Sequence, residues 1–93
     1  MRKKLDAFLK DSGFSVKFHN CIIQEHYGGK SFYNDGTYQE DVYKISKGGN
    51  YWFLHDKISG RTRFTLKDKD YHIILLDFSQ SSFIRQLEKQ FNI

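Results

Sequence analysis

Apolar and polar residues alternate along the chain with two different periods, and each change of period marks an element. Leu5, Phe8 and Leu9 recur at the i, i+3, i+4 spacing of a helix face. Gly13 followed by Phe14 is the pattern of a C-cap glycine whose apolar successor folds back onto the last turn. The spacing predicts a helix over residues 2–12. From Phe14 the period falls to two, with Phe14, Val16 and Phe18 alternating with Ser15 and Lys17. Extended structure resumes over Cys21–Gln24, and either one bulged strand or a tight hairpin accounts for the interruption at His19-Asn20.

Turn signals then divide the middle of the chain. Tyr27-Gly28-Gly29-Lys30 and Asn34-Asp35-Gly36 read as turns around a short strand Ser31–Tyr33. Thr37–Ser46 is a strand, Lys47-Gly48-Gly49-Asn50 a hairpin turn and Tyr51–Asp56 the next strand. Lys57-Ile58-Ser59-Gly60 turns the chain into Arg61–Lys67, and Asp68-Lys69-Asp70 turns it into Tyr71–Asp77. Helical spacing returns at Phe83, Ile84, Leu87 and Phe91, with Asp77, Ser79 or Ser81 placed to cap the first turn. The predicted class is α+β: a small antiparallel β-meander of four or five strands, flanked by an N-terminal and a C-terminal α-helix, in a single domain over residues 1–93.

Simple pairing across these turns sets Asp56 opposite Arg61, Leu54 opposite Arg63 and Lys67 opposite Tyr71. Tyr51, Phe53, His55, Phe64, Leu66, Ile74 and Leu76 then share the face expected beneath the helices. Trp52, Leu54, Ile73 and Leu75 share the other with Arg61, Arg63 and Lys67, a mixture that suits neither a core nor a plain solvated surface. A helix, a second copy of the chain or a partner is needed to cover it.

Composition narrows the classes. Nine Phe, six Tyr and one Trp must supply much of the core. The formal net charge of +4 leans towards an anionic partner and counts against an acidic nucleic-acid mimic. Cys21, the only cysteine, excludes an intramolecular disulfide and a cysteine-built zinc site, and its expected place is the core. A cytoplasmic setting follows as the expectation. Ile73–Leu76 is the longest apolar run, far short of the ~20 residues of a membrane span, so no membrane partner is expected.

The chemistry-bearing residues cluster late in the chain. Arg61, Arg63, Lys67 and Lys69, with Lys57 across the turn, form a basic group that Lys44 and Lys47 can join. With Tyr51, Trp52 and Tyr71 as stacking groups, these residues suit phosphates and bases. A solvated strand with local ion pairs such as Asp56–Arg61 competes with that reading. His19, His26, His55 and His72 lack metal-ligand spacing, and no cofactor or metal is expected. Gly28-Gly29-Lys30-Ser31 lacks the spacing of a phosphate loop.

The expectation is a non-enzymatic binding module that presents a basic, aromatic-rich sheet face to nucleic acid or a nucleoprotein. One alternative is a protein-binding inhibitor or immunity-type factor of a phage or mobile element. A second is a small metal-free, toxin-like ribonuclease using His55 or His72 with Arg61, Arg63 and a tyrosine.

Overall fold

The computed structural model describes residues 1–25, 37–58 and 60–93. The expected turns at Tyr27–Lys30 and Asn34–Gly36, the short strand Ser31–Tyr33 and His26 lie outside the described residues. Helix α1 (Lys3–Asp11) is followed by strands β1 (Ser15–Glu25), β2 (Thr37–Lys47), β3 (Asn50–Lys57), β4 (Arg63–Lys67) and β5 (Ile73–Asp77), then by helix α2 (Gln80–Phe91). The five strands lie side by side in chain order, each antiparallel to its neighbour. The α+β meander with a helix at either end is thus the fold of this chain.

Local chemistry accounts for the element ends. At the end of α1, Gly13 takes φ +88° and donates its N–H to the Lys10 carbonyl, while the Phe14 N–H reaches back to Leu9. That bond pair satisfies carbonyls the helix leaves orphaned. Ser79 caps α2 through an N–H bond from Ser82, and Asp77 accepts the N–H groups of Phe78 and Ser79. These donors, with the Ser82 side chain first among them, hold the Asp77 carboxyl below the usual carboxylate range. Gly48 and Gly49, at φ +59° and +82°, form the two-residue turn between β2 and β3. The interruption in β1 is a bulge: Phe18 lies opposite Tyr43 and Asn20 opposite Val42, leaving His19 as the extra residue.

Both helices pack on one face of the sheet. Leu5 and Leu9 of α1, Phe83 and Leu87 of α2, and Ile45, Leu54, Phe64 and Leu66 of the sheet form a fully buried core. Phe64 stacks on Phe83 with ring centroids 5.4 Å apart. Trp52 closes the end of this core. Its ring meets Phe91 at 4.8 Å and Phe14 at 6.0 Å, edge to face in both contacts.

The pairing of β3 with β4 corrects the sequence-based register. Leu54 lies opposite Leu66 and Asp56 opposite Phe64, three residues away from the expected partners Arg63 and Arg61. An odd displacement exchanges the faces of one strand relative to the other. Leu54, Phe64 and Leu66 therefore share the helix face, and Phe53, His55, Arg63, Thr65 and Lys67 share the opposite one. The connection does not end at Gly60. It continues until Arg63 pairs with Lys57, because only then do all three apolar side chains reach the core. Lys67 likewise faces Ile73 and not Tyr71, across an irregularity that skips Ile74.

The revised register leaves Asp56 on the helix face, 4% exposed, and its partner is Arg2 in place of Arg61. Arg2 Nε lies 3.2 and 3.3 Å from the two carboxylate oxygens, and the guanidinium rests 4.9 Å above the Phe64 ring. Burial raises the Asp56 carboxyl above its ordinary value, and Arg2 offsets part of that rise. A raised folded-state pKa means the group favours folding below the unfolded-state value and opposes it as pH rises through the folded-state value. Arg2→Ala should thus destabilise the fold by about 1–2 kcal/mol at neutral pH, discounted for the half-open guanidinium. The difference in urea midpoint from the wild type should shrink as pH falls through the raised folded-state value and the carboxyl becomes protonated. A difference that stays constant from neutral to acid pH would show that the charge pair is not its source.

Candidate nucleic-acid interface

The face away from the helices is set by alternation and by the bulge in β1. Reading across the strands, Lys17, Lys44, Phe53, Lys67 and Ile73 form one row of directly paired positions. A second row runs Asn20, Val42, His55, Thr65 and Leu76, and a third runs Ile22, Glu40, Lys57 and Arg63. Ser15, Ser46 and Tyr51 make a short fourth row beside the β2–β3 turn.

The rows differ in exposure. Val42, Phe53, His55, Thr65 and Glu40 are buried. Lys17, His19, Lys44, Tyr51 and Tyr71 are exposed. Phe53 sits at the centre, with the His19 ring at 5.0 Å, the Tyr51 ring edge-on at 5.8 Å and the Tyr71 ring stacked on it at 4.8 Å. The Lys44 ammonium lies 4.3 Å from the Tyr51 ring centre, and the Lys67 ammonium 5.0 Å from that of Tyr71. Basic and aromatic groups thus interleave across four strands.

Two features of this surface are locally unfavourable. Lys17 and Lys44 occupy directly opposed positions on β1 and β2, and like charges so placed repel. Tyr71 adopts φ +66°, a left-handed conformation costly for a bulky residue and usually given to Gly or Asn. The connection holds it there. Asp68 Oδ1 accepts the N–H groups of Asp70 and His72, each at 2.9 Å, and the Tyr71 N–H bonds the Asp68 carbonyl at 3.0 Å. The His72 N–H is the main reason the Asp68 carboxyl lies below its ordinary range.

The sequence-based candidates separate in space. Tyr51, Lys67 and Tyr71 meet around Phe53. Arg63 and Lys57 share the face but lie at its other end beside the buried Glu40, and Arg63 Nη2 is 3.7 Å from Glu40 Oε1. Arg61 lies outside β4, with its guanidinium 4.6 Å from the Phe78 ring centre. Lys69 is exposed in the β4–β5 connection. Trp52 belongs to the helix side, because the register turns it towards Phe14 and Phe91. Phe53, Lys17 and His19 were missed as members. Alternation along each strand could have found Phe53 and Lys17 once the register was known; His19 needed the bulge as well.

The remaining chemistry is closed off or dispersed. His55 is 1% exposed, its Nδ1 lies 3.7 Å from Glu40 Oε2, and its Nε2 is buried without a hydrogen-bond partner. The Tyr71 ring stands edge-on to it at 5.9 Å. His72 is exposed beside Asp68 in the β4–β5 connection, away from the row that holds His55. Cys21 is half-buried opposite Asp41 on the helix side, not in the core as expected, and the bulge puts His19 on the other face. Desolvation and the Asp41 carboxylate raise its thiol pKa, which disfavours the reactive thiolate.

Among the described residues no three His, Cys, Asp or Glu side chains are grouped to hold a metal ion. No helix among them is long and apolar enough to cross a membrane. No protein-family model, curated protein or solved structure matches this chain.

Proposed function

We propose that the face centred on Phe53 binds single-stranded nucleic acid without cleaving it. The observation that carries this reading is the row Lys17, Lys44, Phe53, Lys67, flanked by the exposed rings of Tyr51 and Tyr71. Neighbouring strands lie about 4.8 Å apart, so the row offers cations at short intervals across the sheet. Ammonium groups meet phosphates, and the exposed Tyr51 and Tyr71 rings beside them offer stacking surfaces that tolerate any base. An anion laid along the row also relieves the Lys17–Lys44 repulsion. The sealed position of His55 supports binding without turnover, since a general base must reach the proton it removes. Oligonucleotides should therefore be recovered intact after long incubation with the protein. Cleavage lost in His55→Ala would overturn that part of the reading.

Exposed Ile73 and Leu76 on the same face favour a second reading, a protein partner. Salt separates the two. Nucleic-acid affinity should fall steeply with ionic strength, as counterions compete for the phosphates. In the double variant Lys44→Gln, Lys67→Gln, affinity for single-stranded DNA or RNA should fall by about tenfold, and the log–log salt slope should flatten by about 1.4. Unchanged affinity and slope in that variant would remove the row from consideration.

Tyr71 provides a sharper test. Tyr71→Gly relieves the left-handed backbone, worth about 1–2 kcal/mol, while removing a ring that is already 45% exposed. Urea stability should hold or rise, and nucleic-acid affinity should fall by about 1–3 kcal/mol through lost stacking. A variant that binds as well as the wild type would show that Tyr71 serves the fold alone.

A further inference from the structure

A cavity of about 450 Å³ opens at the β2–β3 turn end of the same face. Ser15 and Lys17 of β1, Lys44, Ser46 and Lys47 of β2, Tyr51 of β3, and the turn residues between β2 and β3 line it together with Gly13. Hydroxyls, an amide and ammonium groups point to one chemistry, and no carboxylate among the described residues lines the wall. Lys47 is partly committed, since its ammonium donates to the Ser12 carbonyl at 2.7 Å and caps the negative end of α1. That leaves Lys17 and Lys44 as cations that repel on adjacent strands, with no carboxylate among the described residues of the wall to answer them.

The charge balance decides the ligand. A phosphodiester within a strand carries a single negative charge, whereas a terminal phosphomonoester carries about −1.5 to −2 at neutral pH and offers three acceptor oxygens. Two ammonium groups with the Ser15 and Ser46 hydroxyls match the second better than the first. Position agrees with charge. The cavity takes in the Lys17 and Lys44 end of the basic row on β1 and β2, so a strand laid along the row past Phe53 has its end here. Its volume is within the range of pockets that enclose small ligands. We infer that this cavity receives the terminal phosphate of the bound strand, so that the protein prefers phosphorylated ends over hydroxyl ends. The inference rests on the single-strand reading of the Phe53 face and adds to it which part of the strand is recognised.

Fluorescence anisotropy with internally labelled oligonucleotides of about ten nucleotides, within the usual site size, provides the test. Three forms of one sequence are compared: 5′-phosphate, 3′-phosphate and hydroxyl at both ends. One phosphorylated form should bind about tenfold tighter than the hydroxyl form. Lys17→Gln should abolish that preference, and the charge-matched control Lys4→Gln, on the exposed side of α1, should keep it. The matching mononucleotide, with its phosphate at the preferred end, should compete for the phosphorylated oligonucleotide. Equal binding of all three forms would overturn the end-recognition inference and leave the reading of the face intact. Failure of every form to bind at low salt would overturn both.

Discussion

The pairing of Leu54 with Leu66 is the constraint on which the rest of the molecule depends. Both side chains are fully buried beneath the helices, and so are Ile45 and Phe64 on the flanking positions. A slip of one residue between β3 and β4 would turn Leu66 or Leu54 outwards and bring a lysine or a histidine against Phe83 and Leu87. Removing even one such side chain from the core costs about 2–5 kcal/mol, a large part of the stability of a domain this small. The core therefore selects the register, and the register fixes the composition of the opposite face. Lys17, Lys44, Phe53 and Lys67 share a row because Leu54 must meet Leu66.

Local costs are distributed unevenly between the two faces. On the helix side Asp56 lies opposite a like charge, Asp41, but has the Arg2 guanidinium as partner, the N-terminus of α2 is capped and the Trp52 ring meets its neighbours edge to face. On the other side two lysines oppose each other, a tyrosine holds a backbone angle suited to glycine, and a buried histidine nitrogen lacks a hydrogen bond. Local choices in a well-folded sequence usually agree with the global structure, and departures collect where another requirement acts. Tyr71 is the clearest case. Glycine would satisfy its turn at lower cost, so what the turn retains is the ring stacked on Phe53.

Much of this arrangement was legible in the sequence, and the failures have a single origin. The α1 end was readable because Gly13-Phe14 carries a bonding pattern that few other dipeptides support. The β2–β3 turn was readable because two adjacent glycines admit positive φ at both positions. Strand β4 was also read correctly within itself, with Phe64 and Leu66 on one side and Arg63 and Lys67 on the other. Its relation to β3 was not readable. Tyr51-Trp52-Phe53-Leu54 is apolar at every position, so alternation there does not say which side is the core. With that signal silent, the apparent turn ending at Gly60 set the register, and an odd error in turn length exchanged the faces. Trp52 was placed among the site residues and Phe53 left out for this one reason. The bulge at His19 likewise puts His19 and Cys21 on opposite faces, where strict alternation would put both on one.

The distribution of charge on the exposed face bears on which partner it suits. Protein interfaces concentrate apolar and aromatic groups at the centre and leave charge to the rim. Here the order is inverted. Lys44 and Lys67 flank the buried Phe53 on the three central strands, with Lys17 on β1 at one edge of the sheet and Ile73 and Leu76 on β5 at the other. A protein seated on this face would have to desolvate two ammonium groups at its centre and a third at the β1 edge, and supply a carboxylate for each. A polyanion meets the same groups with phosphates that keep most of their hydration, and its bases occupy the ring surfaces between them. The apolar edge is then left as a secondary surface, small enough to be tolerated in a free protein. On that balance the central row argues for an anionic strand, and the β5 edge alone remains as an argument for a protein.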